Sequence, residues 1–295
     1  QVGKTTLLLN LAKKSLQVEL PLFMKWFSKG KAITLSGFIQ NRDKIKPELF
    51  SHLLEFMNNE FYTDNEARVK RWNGFRLLSI DGSFFIFPHT KELKRIYGTT
   101  TNQNNSELVQ ANGSILYDLL NHMVIDGILA PNKTGERQLA IQHLKYCTHT
   151  DLIIYDRGYP SFDFVYNHKK RDIQFVMRCK QEFNQITKDF IQSDLEDTLV
   201  EIKPTHDQSF DGLNYTKEER LTVRFIKIKL DSGETEILMT GLLDQVLYPI
   251  SLFKDLYNRR WGIETFYNIL KNIIQVEKFT GYSPNVINQD FFASL

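Results

Sequence analysis

Apolar residues recur at helical spacing along the first seventy positions of the chain. Segments 7–16, 20–30 and 46–62 all show this pattern, which predicts helices. From residue 75 the pattern changes to strict alternation through FRLLSIDGSFFIFP, which predicts a strand with a bend at Gly82. The polar stretch 91–112 predicts a loop, and the apolar stretch 113–131 predicts a pair of strands.

The second half of the chain alternates helical and strand patterns. A short helix is predicted over 135–147, and a continuous apolar run over 152–155 predicts a strand buried on both faces. Another strand is predicted over 174–180. Residues 181–246 have a β-rich pattern, with a hairpin turn at DSGE, and a helix is predicted over 257–271.

This closing helix carries a charged stripe. Relative to Tyr257, an ideal helix places Arg260 at about 300°, Glu264 at about 340° and Lys271 at about 320°. The simplest interpretation is a solvated face with an i,i+4 pair between Arg260 and Glu264. A separate apolar face, which we expect to pack on the core, comprises Ile263, Phe266, Leu270 and Ile273.

Composition is that of an ordinary globular protein, with 42% hydrophobic and 24% charged residues, and the length leaves room for two domains. The net charge of +2 means that any nucleic-acid contact needs local basic patches. The two cysteines form no CxxC pair, which fits a reducing compartment, and the histidines show no zinc-site spacing. No run is long enough to span a membrane, so a cytoplasmic protein is expected. The chain starts without Met and ends inside an apolar pattern, as a fragment would.

The opening GKTT, residues 3–6, matches the second half of a phosphate-binding loop. The full motif needs a glycine five positions before Gly3, and that position lies before Gln1. No later segment supplies a convincing partner acid in a separate nucleotide-binding sheet. A capped surface helix is the favoured interpretation, and a nucleotide-dependent enzyme is the weaker alternative.

Three acids stand out by position. Asp81 lies in the middle of the first strand, although a hairpin turn before Gly82 would also explain it. Asp156 ends a later strand, where it could serve function or cap a turn. Glu264 lies on the closing helix. A ribonuclease-H-like core requires one carboxylate on its first strand, a second on a neighbouring strand and a third on a helix packed against the sheet. Converging carboxylates need a hard cation such as Mg²⁺.

With these motifs the sequence resembles the DDE transposases of the IS-four-like insertion-sequence group. Their closing helix carries the signature Tyr-x2-Arg-x3-Glu-x6-Lys, which Tyr257, Arg260, Glu264 and Lys271 match without a gap. The motifs IDGS and YDRGY around the first two acids are also typical of the group, and the resemblance covers roughly residues 40 to 295.

The resemblance implies that Asp81, Asp156 and Glu264 are catalytic residues and bind two Mg²⁺ or Mn²⁺ ions. It also implies that Tyr257, Arg260 and Lys271 contact transposon-end DNA. Arg157, next to Asp156, is a further candidate for phosphate contact, and a structural ion pair would explain it equally well. Phosphoryl transfer at a DNA phosphodiester would be the reaction, with strand cleavage and then strand transfer. Relatives that stack a flipped base carry a Trp in the β insertion. The three here are Trp26, Trp72 and Trp261, so cleavage through a hairpin is not indicated.

The expected organisation is an α/β ribonuclease-H-like core, a mixed sheet flanked by helices, interrupted by a β-rich insertion. The boundaries are a helical region over 1–70 that could bind DNA, the first part of the core over 71–180, the insertion over 181–246 and the closing helical part over 247–295. The expected partners are double-stranded DNA and a second copy of the chain on paired ends, in the bacterial nucleoid. The alternative is a truncated or degenerate remnant that binds DNA without transposing it.

Overall fold

The computed structural model describes residues 2–9, 15–27, 33–205, 207–210, 213–230 and 233–295. The helices are α1 Val2–Leu9, α2 Leu16–Phe27, α3 Leu35–Arg42, α4 Glu48–Asp64, α5 Lys91–Tyr97, α6 Glu136–His143, α7 Phe162–Lys170, α8 Gln185–Gln192, α9 Ser251–Asn258, α10 Trp261–Asn268 and α11 Pro284–Phe292. The strands are β1 Arg76–Phe87, β2 Thr99–Thr101, β3 Glu107–Asp118, β4 Met123–Pro131, β5 Asp151–Tyr155, β6 Gln174–Cys179, β7 Asp197–Ile202, β8 Gln208–Phe210, β9 Leu213–Tyr215, β10 Leu221–Lys229 and β11 Thr235–Thr240.

One mixed sheet organises the part of the chain that the structure describes. Its central order is β4-β3-β1-β5-β6, with β3 antiparallel to β4 and β1, and with β5 parallel to both β1 and β6. Parallel neighbours require crossover connections, and α6 and α7 supply them after β4 and β5. The predicted ribonuclease-H-like core, a mixed sheet flanked by helices, is confirmed.

The strands of the β-rich stretch 181–246 extend this same sheet. Strand β11 pairs antiparallel with β6, and β10 and β7 follow outward. In the described residues β8 and β9 form a separate two-stranded sheet. Arg224 on β10 is fully buried and donates through Nε to Asp197 at 2.7 Å. It is therefore a structural residue, although its strand position alone is equally compatible with phosphate contact or solvation.

Helices cover both faces of the sheet, which explains the apolar run of β5. Leu152 and Ile154 pack on the face covered by α9, α10 and α11. Ile153 and Tyr155 pack on the opposite face, with α6, α7 and α8. A strand buried on both faces loses the alternation of polar and apolar residues, and this strand was predicted correctly.

The segment 91–112, predicted as a loop, is ordered secondary structure, so that prediction was wrong. Thr90 caps α5 by accepting from the backbone N–H of Leu93, and Leu93 and Tyr97 bury the inner face of that short helix. Gly98, with φ of 87°, ends the helix, and β2 and the first part of β3 follow. The segment has few apolar residues because each short element buries only one face.

The N-terminal helices are joined to the C-terminal end of the chain by a buried cation. Arg42 of α3 is 1% exposed and donates to Gln289 and to Asp290 of α11, each at 2.6 Å. The boundary predicted at residue 70 thus does not separate α3 from the rest of the fold. Gly3 and Lys4 of the GKTT segment lie in α1, but their side chains are outside the described residues. None of the described helices combines the length and the apolar character that crossing a bilayer demands.

A buried histidine fastens α7 beneath β5, directly before Asp156. His168 accepts through Nε2 from the Tyr155 hydroxyl at 2.9 Å and donates through Nδ1 to the carbonyl of Phe164 at 2.9 Å. Burial lowers the pKa of His168 to about 4, from 6.5 for the unperturbed side chain. The neutral ring is therefore the form that the fold stabilises.

We expect stability to fall between pH 7 and pH 4 on account of this residue. The pKa of His168 is lower in the folded chain than in the unfolded chain. Below pH 6.5 the unfolded chain therefore binds a proton at this residue, while the folded chain stays neutral there until about pH 4. At pH 5 the loss is about 2 kcal/mol. Urea unfolding of the native chain and of a His168→Gln variant at pH 7.5 and pH 5 measures it. The variant should lose less stability between the two pH values, and equal losses would contradict the assignment.

Candidate functional site

The first two acids lie side by side on neighbouring parallel strands. Ser79 of β1 is paired with Ile154 of β5, and Asp81 and Asp156 each follow two residues later. Parallel strands lie about 4.8 Å apart and side chains two residues on return to the same face. Asp81 is also paired with Ile115 of β3. It therefore lies within a strand, and the hairpin-turn alternative is excluded.

The third acid, Glu264, is on α10, which packs on this face of the sheet. The hydroxyl of Tyr267 on α10 donates to the backbone carbonyl of Asp81 at 2.8 Å, and Ile263 and Leu270 are fully buried. The sequence pattern therefore placed the correct helix against the first strand.

The helix predicted over 257–271 is not continuous. It is divided at Arg259–Arg260 into α9 and α10, and a π-helical turn follows over Ile269–Ile273. At the division the backbone hydrogen bonds span three residues, as in a 3₁₀ turn, and not four. One example is the bond from the Arg260 N–H to the Tyr257 carbonyl. The π turn shifts the phase of the helix, so Ile273 is 72% exposed and does not belong to the predicted apolar face.

The predicted charged stripe is largely buried. Tyr257 and Arg260 are only 5% and 6% exposed. Arg260 donates through Nη1 to Glu264 at 2.6 Å, and its guanidinium lies 5.0 Å from the ring centroid of Trp261. The hydroxyl of Tyr257 donates to Asp156 at 3.4 Å. The signature thus supplies one hydrogen-bond donor to Glu264 and another to Asp156. The expected i,i+4 pair between Arg260 and Glu264 is present, but Tyr257 and Arg260 are buried and not solvated.

The electrostatics of the site are governed by several carboxylates close to one cation. The pKa of Asp81 is raised to about 6. Burial is the largest cause, and the charges of Glu136 and Glu264 add to the rise, while the backbone N–H of Gly82 and the charge of Arg260 oppose it. Asp156 also interacts with the charge of Arg260. A second cation near the acids would lower the pKa of Asp81 in the same way as Arg260 does.

The donor set suits a hard divalent cation, because Asp81, Asp156 and Glu264 offer only carboxylate oxygens. Among the described residues, however, no three Asp, Glu, His or Cys side chains already stand in a common ligand arrangement. The bond from Arg260 to Glu264 gives the physical reason, since it directs the third carboxylate to the guanidinium. Asp81 and Asp156 are neighbours in the sheet, and Glu264 lies on the helix packed beside them with its carboxylate paired to Arg260.

Two further predicted DNA contacts lie on either side of the acids. Arg157 is exposed and lines an open cleft of about 270 Å³. Arg178 and Lys180 line the same cleft, and neither residue was predicted individually as a DNA contact. Arg178 forms a 2.6 Å ion pair with Glu236. Lys271 is half-buried and donates to the carbonyl of Phe84 at 2.6 Å, so it also fastens the π turn to β1.

The chain is similar in sequence to known transposases. The family model described as "Transposase DDE domain" matches residues 72–295. Its span runs from just before β1 to the end of α11 and contains Asp81, Asp156 and Glu264.

Two curated relatives come from Escherichia coli (strain K12). The transposase InsG for insertion sequence element IS4 is 25% identical over 269 residues, covering 88% of this chain and 58% of that protein. The putative transposase InsZ is 28% identical over 97 residues, covering 32% of each chain. The chain therefore spans little more than half, and about a third, of the lengths of these relatives.

Among solved structures, the piggyBac transposase synaptic complex with hairpin DNA covers 74% of this chain and 46% of its own. The TM-score is 0.44 and the identity is 13%.

Proposed function

The chain belongs to the transposase DDE-domain family, and from this premise we propose that it catalyses DNA transposition. It binds the terminal inverted repeats of an insertion sequence, cleaves one strand to leave a 3′-hydroxyl, and joins that hydroxyl to target DNA. The observation that supports the proposal is that Asp81 and Asp156 are neighbours on parallel strands, and that the charge of Arg260, the ion-pair partner of Glu264, acts on both of them.

Two divalent cations, Mg²⁺ or Mn²⁺, are the ions that the family uses. They would be bound by the carboxylates of Asp81, Asp156 and Glu264. When bound, such ions stabilise the charge on the attacking and leaving oxygens of an in-line displacement at phosphorus. In the structure Arg260 is the ion-pair partner of Glu264, and Glu264 would have to leave that pair to bind a cation.

Release of Glu264 frees the guanidinium of Arg260 for the DNA. Its Nε–H is buried and has no hydrogen-bond partner in the described part of the chain. A phosphate oxygen is the acceptor that a guanidinium binds best. Tyr257, next to Asp156, and Lys271, at the edge of β1, lie on the same side and contact the phosphate backbone with Arg260.

The cleft beside Asp156 continues the DNA path. Arg157, Arg178 and Lys180 place three cations along its wall, which fits the phosphates of the strand that leaves the site. Two copies of the chain hold two transposon ends in one complex, and the protein is associated with DNA in the bacterial nucleoid. The alternative, a remnant that only binds DNA, would share these cations but has no use for the three acids.

Glu264→Gln tests the proposed chemistry. The amide keeps the size of the side chain and a hydrogen bond from Arg260 but removes the negative charge that holds a cation. We expect Mg²⁺-dependent nicking of an end-containing duplex to fall by more than the roughly hundredfold that loss of an outer-shell partner costs. Binding to the same duplex should be retained.

The matched control for this variant is Asp255→Asn, which removes an exposed carboxylate from the preceding helix α9. It should nick like the native chain. Nicking by Glu264→Gln at the native rate would refute the assignment of the third acid.

Arg157→Ala tests the proposed DNA path. Removal of one cation that binds a phosphate should reduce the slope of log K against log salt concentration by about 0.9. Fluorescence anisotropy with a labelled end duplex between 50 and 200 mM salt (roughly the range over which phosphate binding weakens strongly) gives the slope. Lys91→Ala, an exposed lysine of α5, is the control and should leave the slope unchanged. If Arg157→Ala also leaves it unchanged, the cleft does not bind the backbone.

A further inference from the structure

A fourth carboxylate, that of the exposed residue Glu136, lies on the opposite face of the sheet, and its charge acts on Asp81. Glu136 is the first residue of α6 and lies against two glycines. A Cβ atom placed on Gly82 would lie 3.4 Å from Oε1 of Glu136, and a Cβ atom placed on Gly158 would lie 3.7 Å from Oε2 of Glu136. Gly82 directly follows Asp81 and Gly158 comes two residues after Asp156, so the carboxylate of Glu136 lies between the backbones of the first two acid motifs.

The position of Glu136 is fixed by its neighbour. Arg137 donates through Nε to the carbonyl of Gly158 at 2.9 Å, which fastens the start of α6 to the turn after Asp156. A side chain at Gly82 would be in close contact with Glu136, at 3.3 Å from its Cγ. The glycine of the IDGS motif therefore provides the space in which this carboxylate approaches the site.

A second, independent feature points into the same space. Tyr159 is 2% exposed, and its hydroxyl has no hydrogen-bond partner within the described residues. Its ring is held by Tyr155 at 5.0 Å and by Phe164 at 5.7 Å between centroids. The charges that act on the hydroxyl are those of Asp81, Glu136 and Asp156. A buried hydroxyl without a partner is costly, so a ligand oxygen among these carboxylates would satisfy it.

Burial raises the pKa of Tyr159 well above its usual range, and the three carboxylates add to the rise. The phenol is therefore a hydrogen-bond donor at neutral pH. Its hydrogen can go to a carboxylate oxygen or to a water that a cation holds in place.

We propose that Glu136 is a fourth carboxylate ligand of the divalent-cation site and that Tyr159 donates a hydrogen bond to the oxygen ligands there. The inference rests on the proposed function and extends it, because three acids alone leave most positions around two hard cations to water and phosphate. Mg²⁺ prefers about six oxygen ligands. Glu136 enters from the face of α6 and Glu264 from the face of α10, so the cations would be held from both sides of the sheet.

The test measures Mn²⁺ binding in the absence of DNA at pH 7.5. Electron paramagnetic resonance detects the Mn²⁺ that remains free in solution. We expect Glu136→Gln to weaken binding about tenfold or more, and Tyr159→Phe to weaken it about tenfold as an outer-shell donor would. Glu92→Gln, which removes an exposed carboxylate from the first turn of α5, is the matched control and should bind like the native chain. Thermal unfolding without Mn²⁺ should leave Glu136→Gln at least as stable as the native chain, because one of several like charges is gone.

Asp81→Asn separates this inference from the proposed function. If Asp81→Asn loses Mn²⁺ while Glu136→Gln binds like Glu92→Gln, the fourth ligand is wrong and the three-acid site stands. If Asp81→Asn binds Mn²⁺ like the native chain, the proposed site itself fails, and the inference fails with it. Loss of stability by Glu136→Gln without Mn²⁺ would assign the residue a structural role and would also overturn the inference.

Discussion

Repulsion between carboxylates is the constraint on which the functional end of this protein depends. Asp81 and Asp156 are neighbours where β5 ends, and the charges of Glu136 and Glu264 act on Asp81, whose own charge is made costly by burial. One buried cation, Arg260, stands among them, with Glu264 as its direct partner. The guanidinium of Arg260 thus offsets part of this repulsion, and its buried Nε–H has no hydrogen-bond partner within the described residues.

The fold keeps these groups together through elements on both faces of the sheet. The parallel pairing of β1 and β5 fixes Asp81 next to Asp156, and Tyr267 fixes α10 to the backbone of Asp81. On the other face, the Tyr155–His168 bond and the Arg137–Gly158 bond hold α7 and α6 against the strand ends. Rigid strands with packed helices give such a site more precision than loops would.

Much of this arrangement could be predicted from the sequence. The alternation in β1 and the apolar run of β5 are local patterns that led to the correct strands, and the helical spacing of Ile263 and Leu270 led to the correct packing of α10 on the sheet. The burial of Tyr257 and Arg260 could not be predicted in this way. It depends on the break at Arg259–Arg260 and on the packing of α9 and α10 on the sheet.

Contacts between distant parts of the chain escaped prediction for the same reason. Glu136 lies in a polar segment with no motif around it, and only the folded chain brings it between Gly82 and Gly158. Arg42 and Arg224 have the sequence surroundings of surface cations, yet each is buried with an aspartate that lies far away in sequence. The segment 91–112 was predicted wrongly because its short elements bury one face each and leave little apolar pattern.

The central claim is that Asp81, Asp156 and Glu264 close on divalent cations. Anomalous diffraction from crystals soaked in Mn²⁺ tests it most directly, because the peaks locate the ion without reference to activity. The account predicts peaks within ligand distance of all three carboxylates, with Glu264 turned away from Arg260. Peaks elsewhere, or a Glu264 that stays on Arg260 while Mn²⁺ is bound, would contradict it.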